Sequence, residues 1–187
     1  CCAGMRYDDN ITSTHRGHGD SLAKGCAAIR GMSVAELRAR LPWETSEKRK
    51  ELVEAGLEDH VYRAIAELFG KEDGYCKGRG GGMHIADFRV GHLGANAIVG
   101  GGVPIATGAA MSARYFRNGK VTCCFAGDGA YNNGVVMESL NWAAMGQFTD
   151  PDYAGQDGFG LPIVYALINN HYGMTGRADG EVVGIDN

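Results

Sequence analysis

No apolar run in this chain approaches the roughly 20 residues that a membrane-crossing helix needs. Its opening stretch has no signal-peptide pattern, so the chain is expected to be soluble and not secreted. Positive charge is not in excess either. With 18 Lys and Arg against 22 Asp and Glu, the net charge is -4, which excludes a broad basic surface for nucleic acid or anionic membrane. The phosphate-binding signatures of common nucleotide folds are missing: no G-x-G-x-x-G opens a helix after a strand, and no G-x-x-x-x-G-K-[ST] occurs. Nor is there any C-x-x-C. The six cysteines fall as the pairs Cys1-Cys2 and Cys123-Cys124 plus Cys26 and Cys76. Neighbours on a strand point to opposite faces and ligate one metal poorly, so these read as reduced, buried thiols of an intracellular protein.

Glycine, by contrast, is abundant, at 30 residues, and many of these cluster in Gly78 to Gly82, in Gly91 to Gly102 and around Asp128. Glycine serves where the backbone needs positive φ or must come close to a ligand. With apolar elements lying between the clusters, they read as ligand-binding loops. Ser33 and Glu36 form a capping box that predicts a short helix over 34–41, ended by Pro42. Apolar positions at near-helical spacing predict one or two amphipathic helices within 45–69. The stretch 70–102 reads mostly as loop, and 103–116 as a buried helix of small residues with Pro104 in its first turn. Strands are predicted at 120–126 and 162–168, with a helix over 132–145 between them and a polar surface excursion at about 147–160. Two apolar strands separated by a helix imply an α/β fold, a parallel sheet with helices on both faces.

In such a unit both strands deliver their C-terminal ends to one rim, where ligands bind. The first ends in Gly127-Asp128-Gly129 and the second in Asn169-Asn170. A carboxylate and a carboxamide are hard oxygen ligands suited to Mg²⁺ or Ca²⁺. The helix starting near Asn132 would aim its amide-rich end at phosphate oxygens in the same place. Each motif alone is an ordinary turn; together, at successive strand ends, they describe a magnesium diphosphate site.

The order of motifs resembles the alpha subunits of thiamine diphosphate-dependent dehydrogenase E1 components. The resemblance runs through ITSTHRGHG (Ile11 to Gly19), KGRGGGMH (Lys77 to His84), NAIVGGGVPIATGAA (Asn96 to Ala110), GDGAYNNG (Gly127 to Gly134) and NNHYGM (Asn169 to Met174). It implies a thiamine diphosphate-binding fold, present here as a fragment truncated at both ends. It implies that Asp128, the Asn170 side chain and the Tyr172 carbonyl bind Mg²⁺. Gly127, Gly129 and Ala130 would hold the diphosphate together with His15 and Arg16, whose guanidinium suits a phosphate oxygen. Ala97 and Val99 would meet the aminopyrimidine through backbone groups. His18 and His84 are the catalytic candidates, ahead of His92 and His171.

The activity implied is decarboxylation of a 2-oxo acid with acyl transfer to lipoamide, acetoin cleavage being the second reading because THRGHG followed by Ala23-Lys24-Gly25 resembles the acetoin branch. Implied partners are an E1 beta subunit in an α₂β₂ heterotetramer, which supplies the carboxylate that activates the aminopyrimidine, and the E2 lipoyl acyltransferase. The compartment would be the bacterial cytoplasm or the mitochondrial matrix. A reading of another class is a cofactor-binding assembly module without catalysis. The chain departs from the family pattern by alanine at Ala97, where glycine is frequent, and by two insertions, a helical one at about 43–69 and a surface one at about 147–160.

Overall fold

The computed structural model describes residues 2–149, 160–173, 176–177 and 180. Most of the expected surface excursion, and Met174, lie outside these residues. Along the chain run β1 (Asn10–Ser13), α1 (His18–Gly31), α2 (Val34–Arg40), α3 (Arg49–Leu68), α4 (Gly81–His84), β2 (His92–Ala95), α5 (Gly102–Tyr115), β3 (Thr122–Gly127), α6 (Gly134–Ala143), α7 (Gly146–Thr149) and β4 (Ile163–Ile168). They form two compact units, Cys1–Asp9 with His15–Ala95, and Asn10–Thr14 with Asn96–Asn187.

The first unit is largely helical. Helix α2 carries the expected capping box, Ser33 and Glu36 each bonding the other's backbone. The 45–69 pattern becomes the single helix α3. Helix α1 was not expected, because its buried face is Ser21, Lys24, Gly25, Ala28 and Ile29, a helical spacing built half from polar or absent side chains. Lys24 is fully buried along its stem, and its ammonium donates to the Tyr7 carbonyl at 2.8 Å. Gly25 permits the approach of α3, since a Cβ there would lie 2.0 Å from His60 Nε2. Ala28, Ile29, Met32, Leu37, Leu52 and Val90 form the core. The 70–102 stretch, read as loop, contains α4, a 3₁₀ turn at Phe88–Val90 and β2. These elements are shorter than any periodicity can reveal. The chain begins with a 3₁₀ turn, Cys2–Gly4.

Two buried histidines are locked as neutral rings. His60 Nε2 faces the Ser21 carbonyl at 3.2 Å, which can only accept, so Nδ1 takes the Tyr75 hydroxyl hydrogen. Ser21 Oγ donates to the Gly17 carbonyl, so the His92 Nε2–H donates to Ser21 Oγ at 2.9 Å. That leaves His92 Nδ1 buried with no partner among the described residues. Burial pushes the His92 pKa down to about 4, and burial followed by the Arg40 charge lowers that of His60. An unfolded histidine titrates near ~6.5. As pH falls from there toward 4, the unfolded chain takes protons that the folded chain refuses, so stability drops through that window. For His92 alone the loss is on the order of 3 kcal/mol. We expect a thermal midpoint that is flat above pH 7 and falls between pH 6.5 and 4, with a shallower fall in His92→Gln. An identical slope in that variant would refute this assignment.

In the second unit β3 lies between β1 and β4, and both pairings are parallel: Ile11 is level with Cys123, and Cys123 with Val164. Strand β1 escaped sequence reading because four residues, NITS, carry no usable alternation. Burial of both faces, expected of both predicted strands, holds along β3 but not β4, where Val164, Leu167 and Ile168 are exposed. The expectation of a buried helix over 103–116 needs a similar correction. Helix α5 buries Val103, Ala106, Thr107, Ala110 and Ala113, while Ile105, Tyr115 and Phe116 are exposed. Small residues mark the packed face only. That face meets Cys124, Ala126, Ala130 and Val136 in the core. Thr107 Oγ1 reaches both the Val103 carbonyl and the Tyr165 hydroxyl, tying α5 to β4.

No helix among the described residues is long and apolar enough to cross a membrane.

Candidate functional site

Strands β3 and β4 stay in register to their last residues, with Thr122 opposite Ile163 and Gly127 opposite Ile168. The residues that follow, Asp128 on one strand and Asn169-Asn170 on the other, therefore leave the sheet at the same carboxyl edge. The structure thus brings together the two motifs that the sequence placed at one rim.

Asp128 opens a 3₁₀ turn, Asp128–Asn132, after extended Gly127. Its Oδ1 accepts the Gly129 N–H at 3.1 Å, while its Oδ2 is buried with no hydrogen-bond partner among the described residues. An anionic oxygen withdrawn from water without a donor is costly, and a cation beside it removes the penalty. The Gly129 amide, expected to meet a diphosphate, is directed here at the Asp128 carboxylate. Ala130 is buried, and its carbonyl accepts the Asn133 N–H.

Across the rim, Asn169 Oδ1 accepts from His171 N and Asn170 Oδ1 from Tyr172 N, both at 3.0 Å. These two overlapping Asx turns put His171 at φ 62°, in the left-handed region. An amide oxygen has a second lone pair, so Asn170 Oδ1 stays able to ligate a cation. A carboxylate, an amide oxygen and a backbone carbonyl make an all-oxygen donor set that suits Mg²⁺ or Ca²⁺ better than zinc, which favours nitrogen and sulfur. Among the described residues no cluster of three or more His, Cys, Asp or Glu offers a competing metal site.

Helix α6 starts at Gly134, two residues later than its sequence pattern indicates, because the 3₁₀ turn takes up Asn132. Asn133 caps it by accepting from Val135 N, and its Nδ2 donates to the Val99 carbonyl at 3.0 Å. One side chain therefore couples the aspartate turn to the segment carrying Ala97 and Val99. Gly100, at φ 90°, is required at this junction: a Cβ would lie 3.1 Å from that of Asn133. Asn133 was not among the expected site residues. The signal for it was an Asn-Gly pair just ahead of an apolar helix, the ordinary form of an N-cap.

His15, Arg16, His18 and His84 belong to the first unit. His15 and the exposed Arg16 lie in the turn before α1. Burial, then the Arg16 charge, lowers the His15 pKa. His18 is the exposed first residue of α1, and its Nδ1 lies 3.2 Å from where a Cβ on Gly82 would sit. His84, also exposed, ends α4, and its carbonyl is approached by Cys76 Sγ at 3.3 Å. Both catalytic candidates thus border the same glycine loop. His92 does not, being sealed inside the first unit.

A family model described as "Dehydrogenase E1 component" matches residues 2–182. Among similar proteins, the alpha subunit of acetoin:2,6-dichlorophenolindophenol oxidoreductase from Bacillus subtilis is 41% identical over 172 residues, 92% of this chain and 38% of that protein. Its namesake from Cupriavidus necator is 34% identical over 171 residues, 91% of this chain and 38% of its own length. The pyruvate dehydrogenase E1 component subunit alpha of Rickettsia felis is 40% identical over 110 residues, 59% of this chain and 30% of that protein. The chain therefore spans about two fifths of the length of the two acetoin-named relatives and under a third of the Rickettsia subunit.

Proposed function

Because this chain belongs to the dehydrogenase E1 component family, we propose that it is the part of an E1 alpha subunit that holds the diphosphate of thiamine diphosphate through a divalent cation. The observation that carries this reading is the buried Oδ2 of Asp128, without a partner among the described residues, at a strand end level with that of Asn169-Asn170. Asp128, Asn170 and the Tyr172 carbonyl would hold Mg²⁺. Arg16 would bind a diphosphate oxygen bidentately, with His15 beside it, and Gly127, Gly129 and Ala130 would line the diphosphate cleft. The backbone of Ala97 and Val99 would orient the aminopyrimidine, the Val99 carbonyl being steadied by Asn133. When bound, the cofactor supplies the carbanion chemistry that cleaves the bond next to the substrate carbonyl. His18 and His84, exposed beside the glycine loop, would bind substrate oxygens and move protons.

Such a subunit would act with a beta subunit in an α₂β₂ assembly and pass its acyl product to an E2 lipoyl acyltransferase. For substrate, the sequence put a 2-oxo acid first and acetoin second. Over matches of 172 residues the acetoin-named relative from Bacillus subtilis is 41% identical, against 33% and 30% for the pyruvate dehydrogenase E1 alpha subunits of Arabidopsis thaliana and Rattus norvegicus, which favours acetoin.

Titration calorimetry of the intact subunit with thiamine diphosphate, with Mg²⁺ and after EDTA treatment, tests the site. Binding is expected to need the cation and to return when Mg²⁺ is restored; equal affinity in EDTA would sink the proposal. Assays of the complete heteromer on acetoin, pyruvate and branched 2-oxo acids decide the substrate. An assembly that binds the cofactor and consumes none of them would leave the non-catalytic module as the better reading.

A further inference from the structure

Acidic side chains favour helix N-termini, where they meet positive dipole ends and free amides. Glu67 sits at the opposite end, in the last turn of α3, with no basic residue in that turn to offset it. It is also 1% exposed. The helix stops beside it in a Schellman arrangement: Gly70 N donates to the Glu67 carbonyl, Lys71 N donates to that of Ala66, and Gly70 has φ 68°. The chain then turns back and wraps the Glu67 carboxylate in four backbone N–H donors. Oε2 accepts from Cys76 N at 2.7 Å and Gly78 N at 2.9 Å; Oε1 accepts from Gly80 N at 2.7 Å and Gly81 N at 2.9 Å. Burial pushes this carboxyl up, and the four amides together outweigh it and hold it below the usual carboxylate range.

The geometry accounts for glycines that otherwise look like mere flexibility. A Cβ on Gly74 would lie 2.4 Å from Glu67 Oε2 and 2.6 Å from its Cα, and one on Gly78 would lie 2.3 Å from the Gly70 carbonyl carbon. The loop can close on the carboxylate only where side chains are absent. Gly80 has no side chain to cap α4, so Glu67 satisfies the free amides at that helix start from another element. Helix α4 ends in His84, and His18 packs against Gly82 within it.

We propose that Glu67 is a positioning residue: its buried carboxylate sets the shape of the glycine loop that carries His84 and faces His18. The inference rests on the reading of those histidines as substrate-pocket residues. A neutral or shorter side chain at 67 leaves amides unanswered, and the loop then relaxes without any loss of groups that touch the substrate.

Glu67→Ala in the intact heteromer removes a fragment the size of acetate and leaves a cleft lined by four donors. We expect hydrogen exchange at 76–81 to speed at least tenfold while exchange elsewhere in α3 stays unchanged. Turnover should fall at least tenfold, with KM for substrate moving more than the affinity for thiamine diphosphate. Formate or acetate, and not formamide, should restore both protection and turnover. Glu67→Gln, which presents an NH₂ group to backbone donors, should resemble the alanine variant, and Glu67→Asp should lie between it and the natural residue. Unchanged exchange at 76–81 in Glu67→Ala would overturn the clamp. Faster exchange with undiminished turnover would overturn the positioning role. His84→Ala and His18→Ala, with Glu67 intact, test the underlying reading separately: if neither lowers turnover, the pocket assignment fails whatever Glu67 does to the loop.

Discussion

Replacing Asp128 with asparagine should weaken cation-dependent cofactor binding by a factor of about 100 or more, while the cofactor-free protein melts at the same temperature or slightly higher. Asparagine keeps the shape, and its amide oxygen can still accept the Gly129 N–H that Asp128 Oδ1 accepts. What it removes is the charge on Oδ2, the oxygen that no donor among the described residues satisfies. Losing one charged partner of a close, desolvated pair costs roughly 2–5 kcal/mol, and each 1.4 kcal/mol is about tenfold in affinity. In the unliganded protein the same substitution exchanges a buried unpaired anion for a neutral group, which burial penalises less. Affinity falls and stability does not, a divergence expected of a ligand site and not of a structural aspartate. Calorimetry and thermal melting on one preparation decide it. Wild-type affinity in Mg²⁺, or a large drop in melting temperature, would remove Asp128 from the site.

The largest stability loss is expected in the first unit, from Arg40→Leu. The Arg40 guanidinium lies 2.9 Å from Asp87 Oδ2, with the two side chains only 2% and 7% exposed, and also donates to the Tyr75 hydroxyl at 2.8 Å. Tyr75 in turn holds His60, so the pair anchors a buried polar chain between α2 and α3. Removing this cation leaves the buried carboxylate only the long, half-exposed contact to Arg89 Nε at 3.5 Å, an effect of about 3–5 kcal/mol. The thermal midpoint of the intact subunit should fall by roughly 10 °C. Arg40→Leu combined with Asp87→Leu should recover much of that loss, because no lone charge remains. A single variant as stable as the parent would show that water reaches Asp87 and that the pair matters little. This network contributes to folding and takes no part in the chemistry proposed above.

How much of this could be read ahead of the structure depended on the length scale of each signal. Helices α2, α3, α5 and α6 and strands β3 and β4 announced themselves by capping residues or by apolar runs long enough to show a period. Helix α1 did not, because its inward face is assembled from Ser21, Lys24 and Gly25, whose burial depends on partners remote in sequence: the Gly17 and Tyr7 carbonyls and His60. Strands β1 and β2, at four residues each, carry too little pattern. The exposed flank of α5, including Tyr115 and Phe116, is apolar as well, so hydrophobicity alone did not separate it from the small-residue packed face.

The site divides along the same line. That Gly-Asp-Gly and Asn-Asn close two apolar strands is a property of the sequence alone, because local order suffices to put residues at strand ends. So is the family, since its motifs are contiguous and keep their order. The level register that carries Asp128 and Asn169-Asn170 to one edge, the isolation of Asp128 Oδ2, the reach of Asn133 to Val99 and the four amides around Glu67 were decided by tertiary structure. Each depends on where a distant backbone carbonyl or amide finally lies. No residue type encodes that position; it is settled only when the buried polar groups of the whole unit find their partners.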